Sequence, residues 1–426
     1  MSLPRAMQLY QLMRVGSAVL AGILLAKTGI SLEQIGQWEA LLFLGSAVVF
    51  TGINGLMQGI APAYQEAPRE RKLHFLSGVF GLFGGMGVVV SLLLWGTRSW
   101  VLPAVTGFSE AEGFGWFSLY VGGHLASLPL EMVLLLLKKP WKIILWGLVG
   151  WGGYLVAVIV PAWMGLGLTA MFQSLCLLAA LKWGWALALM SSAGWRRPVW
   201  PDVQQYLHFS VPLILSSLLG NAILFFDGWL VLQWYDDASV FALYRYGARE
   251  LPLALALATA LGTAMIPVIG SGRAAGLAEL KQRTTRLLHI VMPVTALLIV
   301  GAGWYFPLVF NTDFAAAAPL FQISLLIALS RVLLPNSILL ALQQSRMIFY
   351  TGIAELAVKV ILGVLMLYWA GLPGLMWSMV LACWFEKIVL GWYLHRYSGI
   401  SVQQWLPLRW YVFYIILVGV TFWLAA

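Results

Sequence analysis

Charge is what this sequence has least of. Only 10% of its 426 residues are Asp, Glu, Lys or Arg, where a soluble globule carries about 25%, so an ordinary water-soluble enzyme is excluded before any motif is sought. Cysteine is nearly absent too. Cys176 and Cys383 both fall inside apolar runs, and two thiols so placed make neither a disulfide framework nor a zinc site. Long polar connections are also missing; the longest, about 191–207, is too short to fold as a domain. What fills the chain instead is apolar: 61% hydrophobic residues, 14% aromatic, and a mean hydropathy of +0.88. Runs of about 20 apolar residues, each enough to cross ~30 Å of hydrocarbon, divide it almost end to end. No cleavable signal peptide is expected, because the first run carries Arg14 and leads directly into a second.

The runs predict thirteen transmembrane helices, at about 8–28, 37–61, 74–96, 114–137, 142–163, 165–190, 208–235, 239–270, 285–310, 315–343, 347–369, 372–394 and 407–425. Open sheets are forbidden in lipid, so the fold is all-α and polytopic. The net charge of +9 does not signal nucleic acid, because the bases cluster in short loops, where they set topology. Sixteen of them, from Arg5 through Arg69, Lys139, Arg197 and Lys281 to Arg409, fall on one side, against Lys27 and Arg98 on the other. That bias places the N-terminus in the cytoplasm. Trp95, Trp100, Trp141, Trp195, Trp200, Trp234, Trp304 and Trp369 fall near predicted helix ends, as interfacial aromatics do.

The segment 191–207, with Arg196, Arg197, Pro198 and Pro201, divides the chain into a six-helix lobe (1–190) and a second six-helix lobe (208–394), followed by an extra helix in 395–426. Both lobes then start from the same side, as parallel repeats do. A weak echo agrees: Gln37-Trp38 to Ala61-Pro62 has the layout of Leu243-Tyr244 to Ile266-Pro267.

Twelve charges fall inside predicted helices: Arg14, Lys182, Arg245, Arg249, Arg331, Lys359 and Lys387, with Glu131, Asp227, Glu250, Glu355 and Glu386. Each costs ~2.5–3.5 kcal/mol near the bilayer centre, so most must face a wet cavity or one another. Lys182 and Lys387 lie near cytoplasmic ends and can snorkel. Glu355 and Lys359 are spaced for an intrahelical pair, and Glu131 and His124 can be neutral groups at a helix interface. Arg245 and Arg249 are one turn apart and cannot pair with each other. They need an anion: either Asp227 and Glu250, or a phosphate, which guanidinium binds bidentately. Arg331 falls mid-helix with no acid within a turn. Asn54, Gln58 and Asn221 are either interhelical glue or hydrogen-bonding groups for sugar hydroxyls, with Trp38, Trp229 or Tyr246 as stacking surfaces.

The stretches Phe209-Ser-Val-Pro212, Asp227-Gly-Trp229-Leu and Phe241-Ala-Leu-Tyr244-Arg-Tyr-Gly-Ala-Arg-Glu-Leu-Pro252, with Arg14-Val-Gly-Ser-Ala-Val-Leu and Ile35-Gly-Gln-Trp38, resemble the polysaccharide-biosynthesis flippases, Wzx-type, of the MOP (MATE-like) exporter superfamily. The resemblance implies twelve or fourteen helices in two pseudo-symmetric six-helix lobes around a cationic cavity; the thirteenth run departs from that pattern. It implies a transporter, not an enzyme, that flips a polyprenyl-diphosphate-linked oligosaccharide across the bacterial inner membrane by alternating access, for lipopolysaccharide or other surface polysaccharide, alongside other polysaccharide-assembly membrane proteins. On it, Arg14, Arg245, Arg249 and Arg331 meet the diphosphate, Asp227 and Glu250 couple an ion or proton, and no cofactor or metal is expected. Two rivals remain. A MATE-type cation-coupled antiporter calls for a carboxylate-dominated cavity, whereas seven bases oppose five acids. An integral-membrane glycosyltransferase or ligase calls for a large acidic external loop, and 97–113 offers only Glu110 and Glu112.

Overall fold

The computed structural model describes residues 2–192, 194, 196–249 and 251–425, so Trp195 and Glu250 lie outside the described residues. It is all-helical, with no strand among the described residues, as the hydrogen-bonding demands of lipid require. The main helices are α1 (Leu3–Leu25), α2 (Leu32–Glu66), α3 (Arg69–Gly96), α4 (Phe114–Leu136), α5 (Pro140–Trp163), α6 (Gly167–Ser192) and α7 (Trp200–Tyr235). After them come α8 (Ala238–Gly247), α9 (Pro252–Ser271), α10 (Arg273–Val309), α11 (Thr312–Ala341), α12 (Ser345–Ser398) and α13 (Leu408–Ala425). Eleven described helices are long and apolar enough to cross a membrane, and a twelfth span is the bent pair within α7. Gly371, at φ 61° and ψ −148°, divides the 54 residues of α12 into two arms, each long enough to cross. The outward side chains of the spans are apolar, among them Leu92, Leu177, Leu297, Ile361 and Ile416. Such a surface is costly in water and free of cost in lipid.

Three expectations about elements are corrected. The eighth run is not one helix over 239–270: α8 ends at Gly247 and α9 begins at Pro252. A residue before proline is held out of the α region, and Leu251 accordingly sits at φ −66°, ψ 107°. The tenth run is likewise broken into a 3-10 turn and short helices, with Arg331 closing Ile327–Arg331 and Pro335 opening Pro335–Ala341. The segment 191–207 is not all linker, because α7 already starts at Trp200, with Pro201 in its first turn, where a missing N–H costs nothing.

By internal contacts the chain forms two units, Met1–Ala242 and Leu243–Ala426. In the first, α2 opens with a reciprocal cap: the Ser31 hydroxyl accepts from the Gln34 N–H at 3.2 Å and the Gln34 side chain accepts from the Ser31 N–H at 3.3 Å. α2 packs on α7 so closely that a Cβ on Gly55 would stand 2.5 Å from Ile214 Cα. In the second, α11 is the most buried span, and Tyr246 is enclosed by Phe310 and Phe314 at ring distances of 5.1 and 4.4 Å.

Candidate functional site

Irregular backbone gathers on one cavity of the first unit. α2 makes a π-turn at Gly45–Phe50, where the Thr51 hydroxyl donates to the Ser46 carbonyl five residues back at 3.0 Å. α5 makes another at Leu148–Gly152, and Pro129 interrupts α4. Because proline offers no N–H, the Leu125 carbonyl accepts from Leu128 instead, at 3.2 Å. A π-turn inserts a residue and swings the rest of the helix beyond it about the helix axis. Phe50, Asn54, Gln58, Trp151, Ser127 and Glu131, at or just beyond these breaks, all line a cavity of about 680 Å³. α7 bends by 41° between Leu218 and Gly220 and adds Ser216, Ser217, Gly220 and Asn221 to the wall.

Tyr10 and Arg14 reach it from α1 and Lys182 from α6. The close approach of α1 depends on Gly147, where a Cβ would stand 2.9 Å from the Tyr10 ring. The Glu131 carboxylate sits beside the Tyr10 hydroxyl and within electrostatic reach of Arg14 and Lys182. Lys182 is buried, with its ammonium 4.9 Å from the centre of the Trp146 ring. His124 is held by Phe50, Tyr120 and Trp151 at ring distances of 5.6, 5.6 and 6.5 Å. Arg14, Asn54 and Gln58 are exposed, while Asn221 gives its amide to the Ser217 carbonyl at 2.8 Å. The wall thus carries two fixed cations against one carboxylate, with amides and hydroxyls between them.

Of the residues the sequence singles out, this cavity brings together Arg14, Asn54, Gln58 and Asn221, without Arg245, Arg249 or Arg331, and it adds Lys182, expected to snorkel. That lysine does not snorkel; it lies on Trp146 in the cavity wall. Arg245, Arg249 and Arg331 belong to the second unit. Arg245 and Arg249 do not share a continuous helix face, because Arg249 lies past the end of α8. Its guanidinium is 4.4 Å from the centre of the Tyr246 ring, and its carbonyl accepts from the Ser324 hydroxyl at 3.4 Å. Arg331 lies within electrostatic reach of Glu355, as do Lys359, Glu386 and Lys387. Lys387 does not snorkel either: it pairs with Glu386 at 2.6 Å, and the Asn336 amide donates to the same carboxylate at 2.9 Å. Asp227 is fully buried on α7. Trp38 and Tyr246 are core residues rather than stacking surfaces; Trp38 lies on Phe172 at 4.8 Å. Trp229 donates its indole N–H to the Ala104 carbonyl at 3.0 Å. Glu112, the acid an external active site would need, accepts from the Thr169 N–H and hydroxyl at 3.2 Å each, close to the start of α6. Among the described residues no cluster of three or more His, Cys, Asp or Glu could hold a metal.

The fold is all-α and MATE-like. The chain is similar to a lipid II flippase, MurJ, in an inward-closed conformation, with a TM-score of 0.71 over 98% of this chain and 97% of that one at 15% identity. It is similar also to an inward-facing multidrug-resistance MATE transporter (TM-score 0.63, 15% identity, 94% and 99% covered). A third likeness is to a MOP-superfamily transporter from Pyrococcus furiosus described as having a binding pocket of reversed polarity (0.57, 14%, 98% and 95%). No family model matches the sequence, and no curated protein matches it.

Proposed function

We propose that this chain is a membrane transporter that flips a polyprenyl-diphosphate-linked oligosaccharide across the cytoplasmic membrane by alternating access, in the assembly of a surface polysaccharide. The observation that carries this reading is the charge of the first-unit cavity, where Arg14 and Lys182 face a single carboxylate, Glu131. A diphosphate supplies the missing negative charge, and guanidinium grips it by two parallel hydrogen bonds. Asn54, Gln58 and Asn221 offer the sugar both donors and acceptors. Likeness to a lipid II flippase favours a lipid-linked substrate. The excess of cations disfavours a drug-cation antiporter. Arg245, Arg249 and Arg331 are further diphosphate candidates from the second unit. Asp227, with Glu250, is the candidate for coupling to an ion or proton gradient.

The test is reconstitution of the purified chain into vesicles, with binding and flipping of a fluorescent polyprenyl-diphosphate sugar as the readouts. Arg14→Ala and Lys182→Met should each weaken binding about 10–100-fold per folded molecule, the worth of a charge-assisted contact, with membrane abundance unchanged for Arg14→Ala, whose side chain is exposed. Arg14→Lys should recover only part, because the planar fork is lost. Asp227→Asn should leave binding intact and remove the response of flipping to an imposed pH or sodium gradient. Undiminished binding in both cavity variants would reject this substrate.

A further inference from the structure

The second unit carries a separate cavity, of about 800 Å³, between α10, the short helix Val402–Trp405 and the first turn of α13. Its wall holds two cations, Lys281 and Arg409, and no carboxylate. The nearest acid along α10, Glu279, is already engaged with Arg283 at 2.6 Å. The Lys281 ammonium donates to the Gln403 carbonyl at 2.8 Å, which fixes its position without neutralising it. The Arg409 guanidinium is exposed and makes no hydrogen bond or ion pair among the described residues. The rest of the wall is mainly apolar, with Leu406, Leu408, Trp410 and Phe413. Trp410 is braced by His289 at a ring distance of 4.6 Å, and His289 in turn meets the Tyr414 hydroxyl at 2.7 Å.

Both helices pass from polar to apolar at this level. Lys281 sits in the Lys-Gln-Arg-Thr-Thr-Arg stretch just before the apolar part of α10, and Arg409 is the second residue of the 18-residue, otherwise largely apolar α13. The cavity therefore stands at the boundary between headgroups and hydrocarbon, where tryptophan also prefers to lie. We infer that it is a binding site for an anionic phospholipid, with the headgroup phosphate between Lys281 and Arg409 and the acyl chains along Trp410 and Phe413. A free anion would use the two cations and leave the apolar wall uncovered, whereas a phospholipid satisfies both. In the orientation set by the loop bases, the lipid comes from the cytoplasmic leaflet. The inference needs the chain to lie in a membrane and is independent of what it transports.

Native mass spectrometry of the detergent-purified full chain, titrated with phosphatidylglycerol, tests it. Retention should fall about fivefold in Arg409→Gln and about fivefold again when Lys281→Gln is added, since each interfacial base is worth about 1 kcal/mol. Phosphatidylcholine should not be retained, and Arg346→Gln, an exposed base elsewhere on the unit, should change nothing. Arg409 is exposed, so its variant tests the site even if the double variant fails to fold. Equal retention in Arg409→Gln, equal loss in Arg346→Gln, or phosphatidylcholine bound as well as phosphatidylglycerol would each overturn the proposal. Displacement of the lipid by an equal concentration of inorganic phosphate would overturn the lipid assignment in favour of a free-anion site.

Discussion

Lys182 and Lys387 occupy the kind of position from which a lysine reaches water, and neither does. Each instead has a partner inside the fold: the Trp146 ring with Glu131 in reach for one, and Glu386 for the other. Burial makes the second pair a matter of stability. Removing one member of a buried ion pair leaves an uncompensated charge and costs roughly 3–5 kcal/mol, whereas replacing both by neutral groups of similar size is often close to neutral. Lys387→Met should therefore lower membrane abundance and the thermal unfolding midpoint, and Lys387→Met with Glu386→Gln should restore most of the loss, as a melting series on purified protein would show. A single variant as stable as the parent would mean the Glu386 carboxylate is already satisfied by Asn336, which reaches it at 2.9 Å.

The first-unit cavity depends on helices that are not straight. With regular α geometry through residues 45–50, every later residue of α2 would turn by about 100° for each residue removed, taking Asn54 and Gln58 off the wall. Deleting Val48, inside the π-turn, should accordingly abolish binding of the lipid-linked sugar while α2 still inserts, a difference that binding and protease-protection assays together can read. The crossing of α2 with α7 is equally demanding. Even one methyl at Gly55 would press on Ile214 at 2.5 Å, so Gly55→Ala should cost about 1–3 kcal/mol of stability by overpacking, measured as a fall in unfolding midpoint. These breaks were only partly legible. The Leu251-Pro252 and Leu128-Pro129 bonds announce theirs in the sequence, because proline lacks an N–H whatever surrounds it. The π-turns at 45–50 and 148–152 carry no such marker, since Gly-Ser-Ala-Val-Val-Phe would also suit an ordinary α-helix.

Across the molecule, the distribution of loop bases makes a topological statement that can be checked directly. Reporter fusions after Gln65, Lys139, Arg197 and Lys281 should read as cytoplasmic, and one after Glu110 as external. An external reading at Arg197 would break the assignment of two parallel six-helix lobes. Two of these fusion points sit in or beside helix that hydropathy alone treats as loop: a short helix, Arg98–Thr106, precedes Glu110, and Lys281 is already in one of the opening turns of the 37-residue α10. Fusions inside α10 should be less well expressed than those in 191–199, because they interrupt a helix packed against α9 and α13.

Composition and periodicity determined that this chain is an all-helical membrane protein and nearly where its spans run, because the lipid constraint acts on each run of about 20 residues independently of every other. They also singled out the intramembrane charges, since the cost of a charge in hydrocarbon can be read residue by residue. Which charges meet was decided only by tertiary structure. Arg14, Glu131 and Lys182 are far apart in the chain and come together because Gly147 lets α1 approach α5 and because Pro129 and the π-turns re-aim their neighbours. Arg245 and Arg249, adjacent by spacing, were separated by a helix end. Sequence spacing predicts proximity only along an unbroken helix; across helices, proximity depends on packing, and packing depends on every neighbour at once.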